Sequence, residues 1–167
     1  LVQTGYSGEV VYGLATFRQR SDQTRIARDA LAFRDRAQAS RESIAVDIQR
    51  LVASGQSVAI WGGTGKAAAF INQHGLDADR FPFVVDSDPD KAGTCVPGTG
   101  QKIEYRDELL TRPVDVVLIA TQWRAQDIVL EMQRAGIRCQ TVLIEHNGKL
   151  VNYMTDDHPY SRLRQAA

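Results

Sequence analysis

From Ser57 onward the chain alternates short apolar runs with stretches of helical pattern, and this alternation restricts the fold more than any other feature. Runs at 57–61 (SVAIW), 83–86 (FVVD), 114–120 (VDVVLIA) and 141–145 (TVLIE) each predict a strand. Helices are predicted over 66–74, 106–110 and 126–135, the last stopped by Gly136. Strands that are apolar on both faces and separated by helices form a parallel sheet covered on both sides. The expected fold class is α/β, Rossmann-like, a mostly parallel sheet flanked by helices.

Upstream of Ser57 the pattern differs. Residues 9–20 (EVVYGLATFRQR) predict a strand, with turns marked by Gly5 and Gly8. One strand cannot bury its own edge or its apolar face. It either joins the later sheet or closes a domain that lies upstream, and the second is the expectation taken here. Ser21 or Asp22 is placed to cap a long helix that Gly55 stops. Ile26, Ala30, Phe33, Ala37, Ile44, Ile48 and Leu51 recur at helical spacing and share one face. Arg28, Asp35, Arg36, Glu42 and Arg50 occupy the other, and their mixed signs describe a solvated face rather than an RNA surface. A helix this long in a small domain implies a connector against two bodies, or a break near Ala39 and Ser40. The chain opens on Leu1 with no leader pattern, which reads as a piece of a longer protein. The expected organisation is 1–20 as the end of an upstream domain, 21–55 as a linker helix, 56–152 as the Rossmann-like domain and 153–167 as an irregular tail.

Composition narrows the partners. The 167 residues make about one domain of ~150 residues plus an extension. Lys+Arg and Asp+Glu number 20 each, so the overall basic charge that nucleic acid or an anionic membrane would require is missing. No apolar run approaches the ~20 residues of a membrane span. Cys95 and Cys139 lie far apart, form no CxxC pair and are expected to be free thiols of a cytoplasmic protein. His74, His146 and His158 show no metal-ligand spacing, so no metal is expected. No nucleophile elbow, HExxH or Ser/His/Asp arrangement is present, and the catalytic residues stay unknown.

The strongest local signal is Trp61-Gly62-Gly63-Thr64-Gly65-Lys66, a glycine-rich turn between a strand and a helix. Glycine serves where the chain turns tightly or where backbone approaches a ligand. Amides at a helix start, with the positive end of the helix dipole and the charge of Lys66, suit a phosphate or carboxylate. The spacing matches neither GxGxxG nor a P-loop, and close packing of helix on strand would also call for glycines. Asp86 ends the second strand, where a carboxylate can accept both hydroxyls of a ribose; it would equally suit a polar turn through Asp88, Pro89 and Lys91. Pro97-Gly98-Thr99-Gly100 reads as a structural turn. After the third strand, Trp123 offers a stacking face and Arg124 a bidentate partner for phosphate, unless the Trp merely covers the sheet edge. Glu145 and His146 would form an acid–base pair only if the strand end turned both to one side.

These segments together resemble the C-terminal domain of S-adenosylmethionine-dependent sugar C-methyltransferases, which act on nucleotide-linked deoxysugars. The likeness rests on IWGGTGKAAAFIN, FVVDSDPDKAGTCVPGTGQKI and PVDVVLIATQW, and covers about 58–143. Gly62 to Lys66, Asp86, Pro89, Lys91, Gly93, Pro97, Thr99 and Trp123 match the family pattern, whereas Arg124 stands where the family has Asn. The resemblance implies a substrate-binding C-terminal portion of a methyltransferase, with Gly62, Gly63, Thr64, Gly65, Lys66, Asp86, Trp123 and Arg124 facing the nucleotide-sugar. It also implies that S-adenosylmethionine and the catalytic residues belong to an upstream domain, with no cofactor expected in this chain. The isolated portion would then be inactive. The nucleotide-sugar-binding domains of sugar acyltransferases are similar in the same motifs, so the alternative is a binding module without a reaction of its own. A nicotinamide-dependent oxidoreductase would need a pyrophosphate-seating spacing that Gly62 to Gly65 lacks.

Overall fold

A computed structural model describes residues 2–5, 10–13 and 23–161. Two strands, β1 (Val2–Gly5) and β2 (Val10–Gly13), pair antiparallel in a sheet of their own. The strand predicted over 9–20 is therefore one arm of a hairpin that stays out of the main sheet; positions 14–20, like the caps Ser21 and Asp22, lie outside the described residues. Helix α1 (Gln23–Ala53) follows without a break at Ala39.

The remainder is a six-stranded α/β sheet. In chain order it contains β3 (Val58–Trp61), α2 (Lys66–Gln73), β4 (Val84–Asp86), β5 (Ile103–Tyr105), α3 (Glu108–Thr111), β6 (Val116–Ile119), α4 (Ala125–Ala135), β7 (Thr141–His146) and β8 (Lys149–Asn152). The spatial order is β5-β4-β3-β6-β7-β8, parallel except for β8. Period-2 alternation along each strand divides the core into two layers. Ile60, Val84, Ile103, Val116 and Leu118 face α1 and α2, where they meet Ile44, Ile48, Leu51 and Ile71. Ala59, Trp61, Val85, Val117, Ile119 and Ile144 face Leu109 of α3 and Ile128, Val129 and Met132 of α4. Each of the Val, Leu, Ile and Met side chains, fully removed from water, contributes about 1.5–3 kcal/mol before chain entropy is set against it.

The structure adds to the sequence reading in several places. Strands β5 and β8 were not expected: β5 has three residues with polar Glu104 at its centre, and β8 is a partly polar edge strand. Asn147 and Gly148, both at positive φ, close the two-residue hairpin between β7 and β8. The apolar stripe of α1 is covered only toward its C-terminal end, where Ile44, Ile48 and Leu51 are buried; Ile26 and Phe33 remain 57% and 67% exposed. The described part of the tail after β8 is irregular, as expected, but packed. Tyr153 and His158 are buried and stacked with ring centroids 4.8 Å apart, and His158 Nε2 lies 2.8 Å from the Tyr153 carbonyl. That contact makes Nε2 the protonated nitrogen.

The strand order decides where a ligand would sit. The chain proceeds from β3 outward through β4 to β5, then returns to the other side of β3 as β6. The switch point therefore lies between β3 and β6, and ligands of open α/β sheets occupy the crevice at the carboxyl ends there.

Candidate functional site

At that switch point lies an open cleft of about 440 Å³, walled by Trp61, Gly62, Thr64, Lys66, Asp86, Lys91, Trp123 and Arg124 among others. Three segments build it: the turn after β3, the polar turn after β4, and a short 3₁₀ turn, Gln122–Arg124, after β6. Six of the eight residues expected at the site line one crevice; Gly63 and Gly65 do not. Gly63 is set back, its backbone pressed against Ile103 and Val84.

The turn after β3 is held by the strands beside it. Gly62 N–H donates to the Val85 carbonyl at 2.7 Å, and Gly63 N–H reaches Asp86 Oδ2 at 3.4 Å. Helix α2 then starts at Gly65 with no side-chain cap, and Gly65 adopts φ +58° and ψ −124°. Among the described residues the amides of Thr64 and Gly65 have no acceptor within the protein, and Thr64 lines the cleft. Amides so placed, at the positive end of α2, favour a negatively charged ligand. Lys66 Nζ lies 4.3 Å above the centroid of the Trp123 ring. That cation–π contact fixes both side chains at the same wall.

Asp86 is 7% exposed and is the centre of the second wall. Its Oδ1 accepts from Asp88 N–H at 3.0 Å, and Lys91 Nζ is 3.2 Å from each carboxylate oxygen. Asp88 in turn caps the short turn Pro89–Lys91 by accepting from Asp90 N–H at 3.0 Å. Lys91 belongs to the matched DSDPDKAG stretch, yet it was not among the residues expected to face a ligand. Deeper in, Trp61 Nε1 donates to Ser87 Oγ at 3.1 Å, Ser87 donates to Glu131 at 2.9 Å, and Glu131 is ion-paired with Arg106. On the third wall Arg124 is exposed, with Nε 3.9 Å from Asp127.

Glu145 and His146 do not form an acid–base pair. Glu145 accepts from Gly148 N–H and Gln122 Nε2, whereas His146 contacts Asn147 at 3.0 Å and the edge of Tyr160. Among the described residues no group of three or more His, Cys, Asp or Glu is placed to hold a metal ion. A larger groove of about 660 Å³ opens at the opposite edge of the sheet, between Phe81, Pro82, Phe83 and Pro113. Its charged groups are engaged with protein partners: Arg112 stacks on Phe83 and pairs with Glu104, and Arg80 pairs with Asp77.

A mostly parallel sheet with a glycine turn, an acid and a Trp-Arg pair converging at its switch point is a Rossmann-like domain. More specifically, the chain belongs to the C-methyltransferase C-terminal domain family, whose model matches residues 11–154. No curated protein matches the chain. Among solved structures it is similar to UDP-D-quinovosamine 4-dehydrogenase from Vibrio fischeri, at 17% identity and a TM-score of 0.40 over 59% of this chain and 93% of that one. Among the described residues no helix is long and apolar enough to cross a membrane.

Proposed function

We propose that this chain is the substrate-binding C-terminal portion of an S-adenosylmethionine-dependent C-methyltransferase, and that its cleft holds a nucleotide-linked sugar. The observation that carries this is the convergence of Lys66, Lys91 and Arg124 with the Thr64 amide around one open crevice. Cations and N–H donors at a helix start recognise phosphoryl oxygens, and the Trp123 face offers a surface for a base or sugar. Family membership supports the methyltransferase setting.

The same charges argue about the methyl donor. S-adenosylmethionine carries a positive sulfonium and an ammonium, whereas the cleft's cations Lys66, Lys91 and Arg124 outnumber its carboxylates Asp86 and Asp88. We place the donor and the catalytic residues in the upstream part of the full-length enzyme, with residues 1–20 closing that domain and α1 linking it to this one. A portion so divided binds substrate but does not turn it over alone. The free thiols Cys95 and Cys139 fit a cytoplasmic setting.

Thermal unfolding with a ligand panel tests the reading. A UDP- or dTDP-linked sugar at 100 times its dissociation constant is expected to stabilise the chain by ~2.7 kcal/mol, with no response to NAD. Lys66→Ala and Asp86→Ala are expected to weaken that response while the chain stays folded. Stabilisation by NAD and not by nucleotide-sugars would refute the assignment.

A further inference from the structure

Asp86 stands where a ribose acceptor is expected, yet its bonding is already complete. A carboxylate offers about four acceptor positions. Gly63 N–H, Asp88 N–H and two contacts from Lys91 Nζ take up four, and the group is buried to 7% exposure. A ribose diol would have to displace an amide of the glycine turn or break the ion pair. Lys91 is in the reverse situation. Its side chain is 35% exposed and it walls the cleft. An ammonium has three N–H donors: the two Asp86 oxygens engage two, Asp88 Oδ2 lies 3.9 Å away as an ion-pair partner beyond hydrogen-bond distance, and the third N–H remains for a ligand oxygen.

Resting on the anion-binding reading above, we infer that Lys91 is a phosphate-binding residue of the cleft and that Asp86 is its positioning residue, not a ribose acceptor. Lys91 from the turn after β4 and Lys66 from the start of α2 then flank the crevice, with Arg124 on the third wall. Three cations drawn from three separate loops suit a diphosphate better than a single phosphoryl group. Asp86 holds Lys91 by both oxygens and, through its contacts with Gly63 and Asp88, keeps the two turns in register.

The test measures binding of inorganic pyrophosphate, UDP and uridine by calorimetry to the whole chain, unsubstituted and as Lys91→Gln, Lys91→Arg and Asp86→Asn. Gln at position 91 keeps a donor for Asp86 while removing the charge, so the fold is retained; circular dichroism checks this. Pyrophosphate and UDP are expected to bind the unsubstituted chain, with Lys91→Gln weakening both about tenfold and Lys91→Arg restoring most of the loss. Uridine affinity is expected to be the same in Asp86→Asn as in the parent. The inference is overturned if pyrophosphate does not bind, if Lys91→Gln binds UDP like the parent, or if Asp86→Asn abolishes uridine binding. If pyrophosphate binds through Lys91 but nucleoside and sugar add no affinity, the inference stands and the nucleotide-sugar assignment falls.

Discussion

Gly63 and Gly65 sit two positions apart in one turn and are glycine for different reasons. A Cβ on Gly63 would lie 2.4 Å from Ile103 Cδ1 and 2.6 Å from its Cγ1, inside a filled core layer. A Cβ on Gly65 would meet nothing within 4 Å, but its backbone lies at φ +58°, where side chains are strained. Gly63→Ala is expected to cost about 1–3 kcal/mol through overpacking, and urea unfolding with an unchanged midpoint would contradict the packing role. The sequence marked this turn as special without saying which glycine packs, because Ile103 is far along the chain. His74 carries a second prediction. Burial, followed by the charge of Arg41, holds its imidazole below the ordinary 6.5. The unfolded chain therefore takes up this proton first as pH falls, so folding stability declines on acidification from about 6.5 downward. Unfolding midpoints between pH 7.5 and 5 are expected to fall less in His74→Gln than in the parent.

Helix α1 separates periodicity from burial. Its apolar stripe was legible from Ile26 to Leu51, since spacing alone defines a face. How much of that face is covered depends on the length of the sheet and α2 beneath it, which spacing does not record. Only Ile44, Ile48 and Leu51 are buried, and Asp47 adds a tertiary anchor by accepting from Leu150 N–H at 3.0 Å. Ile48→Ala is expected to lower stability by about 2–5 kcal/mol, and Ile26→Ala to change it by no more than about 0.5 kcal/mol. Equal effects on the denaturant midpoint would mean that the exposed half of the helix is packed in solution. Strands β5 and β8 show a different gap. A three-residue strand holds too few side chains to display a period, whereas the Asn147-Gly148 turn before β8 is a hairpin signal written in the sequence.

At the scale of the molecule, the two sheets are separate units of pairing. Strands β1 and β2 bond to each other and not to the six-stranded sheet, and a hairpin of two four-residue strands has little stability of its own. A chain beginning at Gln23 is expected to unfold at the same urea midpoint as the full 167 residues. A midpoint shifted by more than about 0.5 kcal/mol equivalent would mean that the hairpin supports the Rossmann-like unit. The α/β class, the turn after β3, the acid closing β4 and the Trp-Arg pair after β6 were determined by the sequence itself. Each is written in contiguous residues, as a period, a turn composition or a short motif. Only the tertiary structure decided that the three loops meet at one crevice, because their meeting depends on the crossover that returns the chain to the far side of β3. The bonding of Asp86 to Lys91 and to the glycine turn was decided there too, since hydrogen-bond positions are assigned by neighbours in space and not along the chain.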